Sequence, residues 1–224
     1  MEPIYDCIRN FKENFNYDLK LYVSNKHIVQ AFLRPLNYKD LADDSLIDLL
    51  TLWREENYDA YPSQFKVTSE RTRRWLAKFV LDSQGKLLFL LEDFDGNKIG
   101  HMGVANYNFK NRHIEMDNIV RGNKQLIQKG IITNALYDLI SWTFLAFPID
   151  TVYLRVFKDN ERAIALYKRL KFVETKLIPL IKIDNGSEIK FVEFEGNEQP
   201  NRYFSFMVLN KIDHFNNYNV KYGE

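Results

Sequence analysis

One stretch, Ile114 to Phe147 (IEMDNIVRGNKQLIQKGIITNALYDLISWTFLAF), constrains the fold more than any other. It reads as a strand, a polar loop and a long amphipathic helix. A strand that runs through a loop into a helix leaves the first backbone N–H groups of that helix without intrahelical partners. With the helix dipole, those groups make a site for phosphate. Gly130, at the end of the loop, lets the backbone approach such a group closely, and is equally compatible with an ordinary turn. Arg121, Lys124 and Lys129 could add positive charge there.

The rest of the chain must supply a core around this unit. With 224 residues, 46% of them hydrophobic, one decorated domain is expected, and global disorder is not. A net charge of +1 argues against strong non-specific nucleic-acid binding. The single cysteine, Cys7, excludes an intrachain disulfide framework and fits a reducing compartment. The opening MEPIYDCIRNFKENF lacks the order of a signal peptide. The most apolar run, LISWTFLAF, falls short of the ~18 residues of a membrane span. A cytoplasmic protein without membrane insertion is expected. His27, His113 and His214 are scattered, and no metal-ligand spacing appears.

Along the chain, Ile4, Ile8, Phe11 and Phe15 recur at helical spacing, and Asp18 to Ser24 alternates as a strand. Asn25-Lys26 is a turn into a strand over His27 to Leu36. Leu46, Leu49, Leu50 and Trp53 form a helical stripe, which breaks near Pro62. Ser69 to Val80 is a second helix, capped by Thr68 or Ser69, with Trp75, Phe79 and Val80 on its apolar side. The aromatic cluster Trp53, Tyr58, Tyr61, Phe65 and Trp75 either packs these helices together or walls an acceptor pocket. Lys86 to Asp93, Lys98 to Phe109 and His113 to Val120 form a meander. After the long helix come a strand (Thr151 to Phe157), a short helix (Asp159 to Leu170) and two strands (Phe172 to Ile183 and Arg202 to Ile212). An extra hairpin is expected in between, and Asp213 to Glu224 reads as a polar tail. A meander followed by strand–helix–strand predicts an α/β (α+β) fold. Its centre is a mixed, mostly antiparallel sheet of about seven strands with helices on both faces.

This order of elements, over residues 29–212, resembles the GCN5-related N-acetyltransferase (GNAT) superfamily. Residues 1–28 are then an N-terminal extension and 213–224 a C-terminal tail. The family's loop has the form Gln/Arg-x-x-Gly-x-Gly/Ala. The matching text is Ile127-Gln128-Lys129-Gly130-Ile131-Ile132, which keeps Gly130 and departs at Ile127 and Ile132. The continuation to Thr133-Asn134-Ala135-Leu136 is similar to the helix opening of many members. A second motif, LRVFKDNERAIALYKRLKF (Leu154 to Phe172), matches at Asn160, Ala163, Ile164 and Tyr167, with Lys171 in place of a usual glycine. The text HMGVANYNFKNRHIEMDNIVRG resembles acyltransferases that modify amino groups on nucleotide-linked sugars for surface polysaccharides.

The resemblance implies acyl transfer from acetyl-CoA or another short acyl-CoA to a primary amine by direct attack in a ternary complex. The best acceptor on this reading is an amino sugar linked to a nucleotide. A protein N-terminus or lysine is the alternative, and a non-catalytic acyl-CoA-binding module is a third reading. Gly130, Ile131, Ile132 and Thr133, with Arg121 and Lys129, would hold the coenzyme's phosphates or line the thioester tunnel. Asn118, Ile119 and Val120 occupy the position at which family members pair with the pantetheine arm. Asn160 would bond that arm or the strand, beside Ala163. Tyr167 would protonate the leaving thiolate, or else merely close the apolar side of its helix. An amine is protonated at neutral pH and needs a base. Glu115 and Asp117 share one strand face and so are candidates. They could equally pair with Arg112, Arg121 or Arg155, or position substrate. His101 is an alternative base or a structural histidine. No metal is implied. The sheet edges could pair with a second copy.

Overall fold

The computed structural model describes residues 3–13, 19–25, 28–123 and 130–216. Its elements run α1 (Pro3–Glu13), β1 (Leu21–Asn25), β2 (Ile28–Pro35), α2 (Asp44–Glu56), β3 (Ser63–Phe65), α3 (Ser69–Trp75), β4 (Leu87–Glu92), β5 (Lys98–Asn108) and β6 (His113–Arg121). They continue with α4 (Ile131–Ala146), β7 (Thr151–Phe157), α5 (Glu161–Arg169), β8 (Val173–Asp184), β9 (Glu188–Glu193), β10 (Arg202–Asn210) and α6 (Lys211–Asn216). All ten strands form one sheet in the order β1-β2-β4-β5-β6-β7-β10-β8-β9-β3. Every neighbouring pair is antiparallel except β6 and β7, which α4 joins as a parallel crossover.

The apolar run of β4 explains how the layers stack. Successive side chains point to opposite faces. Phe89 and Leu91 therefore meet the face covered by α4, in one cluster with Leu136, Ile140 and Phe144. Leu88 and Leu90 meet the other face, with Leu46, Leu50 and Trp53 of α2. A strand buried on both sides reads as a continuous apolar run rather than an alternating one. Each such side chain contributes roughly 1.5–3 kcal/mol by leaving water.

Four features depart from the pattern in the sequence. The sheet has ten strands rather than about seven, because β1 extends one edge and β9 and β3 extend the other. The segment after α2, expected as a break near Pro62, forms β3, whose Ser63, Gln64 and Phe65 pair with Lys190, Ile189 and Glu188 of β9. Beyond α3, residues Leu76–Leu81 wind as a π turn, with Asp82 N–H donating to the carbonyl of Ala77 at 2.8 Å. The wider turn sends Leu76, Val80 and Leu81 inward and leaves Phe79 63% exposed, the reverse of its expected apolar placement. Finally, residues 211–216 form α6 rather than an extended tail. His214 is buried there, its Nε2 2.7 Å from Ser141 Oγ and its ring tilted against that of Tyr137, centroids 4.4 Å apart.

The N-terminal α1 is docked on the sheet. Ile8 is buried in the larger core, and Lys12 donates to the carbonyls of Val80 (2.8 Å) and Ser83. The turn expected at Asn25-Lys26, the start of the following strand at His27, and the 217–224 end of the tail lie partly or wholly outside the described residues. Among the described residues, no helix is long and apolar enough to cross a membrane.

Candidate active site

The site begins where β6 and β7 part. Their parallel pairing is limited to His113 with Thr151, Ile114 with Val152, and Glu115 with Tyr153. Beyond Glu115 the strands diverge around a cleft of about 650 Å³, walled on one side by residues 116–121 and on the other by Leu154, Arg155 and Val156. Strand β6 carries a bulge at this point. Gly103 pairs with Asp117 and His101 with Val120, so Asn118 and Ile119 together oppose Met102. Asn118 takes a left-handed backbone, φ +52°.

Helix α4 closes one end. Gly130 precedes its first turn with φ +90°, and its carbonyl accepts from Asn134 N–H at 2.9 Å. A Cβ there would meet no atom within 4 Å, so the backbone angle, not space, is what requires glycine. Gly130, Ile132 and Thr133 of that turn line the cleft, and the first N–H groups of a helix have no intrahelical partners. Ile131 turns inward to the core at 2% exposure. Lys129, like Lys124 and Ile127, lies outside the described residues. Helix α5 forms the floor. Asn160 caps it by accepting from Ala163 N–H at 3.2 Å, and Asn160, Ala163, Leu166 and Tyr167 face the cleft. Arg162 and Arg169, which the motif comparison did not single out, line it too.

The carboxylates of Glu115 and Asp117 both reach the cleft, and each has its own cation. Glu115 accepts from Arg155 Nε at 2.9 Å and Nη2 at 3.1 Å, and from the Asn106 amide. Arg155 also donates to Glu193 at 2.7 Å. Burial works against that guanidinium's charge, but the bonds and charges of Glu115 and Glu193 outweigh it and raise its pKa. Of the three partners open to Glu115 in the sequence, Arg155 is the one the fold selects. Arg112 pairs with Asp150 instead. Asp117 lies 2.7 Å from Lys86 Nζ and accepts from its neighbour Asn118 Nδ2 at 2.7 Å. Lys86 and Asn106 were not legible as site residues, since only the pairing of β4, β5 and β6 brings them there.

Two tyrosines that line the cleft respond to the Asp117 charge. Burial, reinforced by the charge of Asp117, pushes the Tyr167 hydroxyl well above its usual pKa. Tyr61 is pushed up to about 12 by burial, with Asp117 adding and Arg54 opposing. The Arg54 guanidinium stacks 3.8 Å from the Tyr61 ring centre. Tyr61, with Asn57, Ala60 and Pro62, also lines the cleft. Of the aromatic cluster in this region, Trp53 is core and Tyr61 is cleft wall. His101 stands apart from the cleft. It is 3% exposed, with its ring 6.0 Å from that of Trp53 and Nδ1 2.8 Å from the Asn118 carbonyl oxygen. Burial lowers its pKa to about 4. Among the described residues, no group of three or more His, Cys, Asp or Glu side chains could hold a metal ion.

A family profile described as "Acetyltransferase (GNAT) domain" matches residues 31–173. The chain belongs to the GNAT acetyltransferase family. As a member, it is an acyltransferase that moves an acyl group from acyl-CoA to an amine. Spermidine N(1)-acetyltransferase of Escherichia coli (strain K12) is 28% identical over 151 residues, 65% of this chain and 75% of that protein. The Vibrio cholerae enzyme of that name is 22% identical over 127 residues, 57% of this chain and 67% of the relative. The crystal structure of spermidine N-acetyltransferase from Vibrio cholerae in complex with CoA and spermine shares the fold. Its TM-score is 0.60 at 19% identity, over 83% of this chain and 98% of that one.

Proposed function

We propose that this GNAT protein acetylates a small aliphatic primary amine, with polyamines as the first acceptor class to test. The observation that carries this reading is the splay of β6 from β7, with Asp117 and Tyr167 both open to the space between. Acetyl-CoA would run along β6 with its pyrophosphate at the start of α4. The acceptor would enter past Tyr61. Asp117 takes a proton from the acceptor ammonium, the free amine nitrogen attacks the thioester carbonyl, and the C–S bond breaks. Tyr167, still protonated at neutral pH, donates its proton to the departing thiolate, and the second proton that the nitrogen sheds as the amide forms restores the Tyr167 hydroxyl. Glu115, held by Arg155, positions the acceptor. The polyamine class is supported by the names of the relatives, which are 22% and 28% identical.

A second acceptor class, an amino sugar on a nucleotide, is favoured by a different observation. The acceptor end pairs its carboxylates with Arg155 and Lys86 and adds Arg54 over Tyr61, which suits a ligand that carries negative charge better than a polycation. A cytoplasmic setting fits the single cysteine. Thiol release from acetyl-CoA, measured with spermidine, spermine, nucleotide-linked amino sugars and a peptide amine, distinguishes these acceptors. Turnover of spermidine supports the first reading, and turnover of the sugar alone supports the second. No turnover with any amine, together with no binding of CoA, would overturn both.

A further inference from the structure

The sequence offers His101 as an alternative base. We infer that His101 is instead a positioning residue, whose ring holds the Asn118 carbonyl and so fixes the bulge that presents β6 to the acyl-CoA arm. The inference rests on the reading above of β6 as the strand along which acyl-CoA lies.

The bulge has a problem that His101 answers. Two residues, Asn118 and Ile119, face one residue of β5, so the ladder is broken at this step. Asn118 has φ +52°, a left-handed conformation that asparagine tolerates better than most residues with a Cβ. A carbonyl displaced from the ladder inside the protein must find a donor elsewhere. His101 Nδ1 lies 2.8 Å from that oxygen. A carbonyl only accepts, so Nδ1 carries the hydrogen, which fixes the tautomer and leaves Nε2 without one.

The ring itself is held from behind. Trp53 of α2 lies against it, with centroids 6.0 Å apart. The same indole packs on Gly122, just after β6, where an added Cβ would come within 2.2 Å of Trp53 Cε2. A single tryptophan thus braces both the histidine that holds the bulge and the chain just beyond the strand. Burial keeps the imidazole neutral at working pH, with the charge of Asp117 opposing and that of Arg54 adding to the effect. Asn118, Ile119 and Val120 line the cleft while His101 does not, as expected of a group that acts through the backbone rather than on substrate.

The geometry makes a sharp test possible. Asparagine carries its amide nitrogen near the position of histidine Nδ1, whereas glutamine carries it nearer Nε2. CoA binding by calorimetry and steady-state kinetics are compared for the wild type, His101→Asn, His101→Gln and His101→Ala. Loss of one hydrogen bond to a half-buried carbonyl predicts CoA affinity about tenfold weaker in the Ala and Gln variants, and within about threefold of wild type in the Asn variant. The KM for acetyl-CoA should move with it, kcat at saturation much less, and the pH profile of kcat should keep its shape. An Asn variant no better than Gln, or loss of the acidic limb of the pH profile with KM unchanged, would overturn the inference and leave the acyl-CoA reading intact. Wild-type protein that binds no CoA would overturn the acyl-CoA reading itself.

Discussion

At the scale of single residues, the site is a set of charges with assigned partners. In the proposed mechanism Tyr167 is the acid, a role that suits a hydroxyl kept protonated by burial and Asp117. Tyr167→Phe should therefore lower kcat by about 10²–10⁴-fold, a general acid's usual share. CoA affinity should stay unchanged by calorimetry. Arg155→Ala should destabilise the fold by about 1–3 kcal/mol in urea melts, because it leaves the buried Glu115 carboxylate without its cation while Arg155 itself is one-third solvated. His101 gives the pH dependence of stability. Its folded pKa is near 4 against an ordinary 6.5, so below pH 6.5 the unfolded chain gains a proton that the folded chain refuses. Stability from this group is complete above pH 6.5 and is lost as pH falls toward 4, by about 3 kcal/mol. Urea midpoints at neutral and acid pH should show a smaller fall in His101→Asn than in the wild type. Tyr167 and Asn160 were legible because they sit in a local motif. Arg155 was one of three arginines, and only the fold chose among them.

At the scale of elements, the segment between α2 and α3 matters most for the acceptor. Asn57, Ala60, Tyr61 and Pro62 line the cleft, and β3 ties their segment to β9 through its three pairs and the bond from Phe191 N–H to the Pro62 carbonyl at 2.8 Å. Arg202 adds a bond to the Asp59 carbonyl at 3.0 Å. Gln64→Pro puts a proline into this short edge pairing. It should loosen the strap, raise the KM for the acceptor several-fold, and leave CoA affinity near wild type. Three residues of pairing carry too little periodicity to announce a strand in sequence. The π turn after α3 was hidden for a related reason. Its apolar residues fit a regular helix equally well, and only packing against the sheet shows that Phe79 faces out. By contrast, β7 was found at its full length because its apolar and β-branched residues run between two polar turns.

At the scale of the whole molecule, one parallel pair in an otherwise antiparallel sheet is the place where the sheet can open. The cleft there connects α4, α5 and the strap, so a ligand that fills it ties together elements from residues 57 to 167. Acetyl-CoA at a hundredfold excess over its Kd should raise the melting temperature by roughly 5–10 °C. A scanning fluorimetry titration checks this, and Tyr167→Phe should show the same shift. The sheet ends at β1 and β3, so these are the edges left for pairing with another chain.

By itself the sequence determined the central run of elements from the meander through α4 and β7 to α5, the mixed sheet they imply and the identity of Gly130, Asn160 and Tyr167, because each depends on local periodicity or on a motif within one supersecondary unit. Tertiary structure alone decided which cations neutralise Glu115 and Asp117. It also decided that β3 joins the far edge of the sheet and that His101 faces the Asn118 carbonyl rather than the cleft. Those outcomes depend on register between strands distant in sequence, and a one-residue slip at the β6 bulge changes which groups meet.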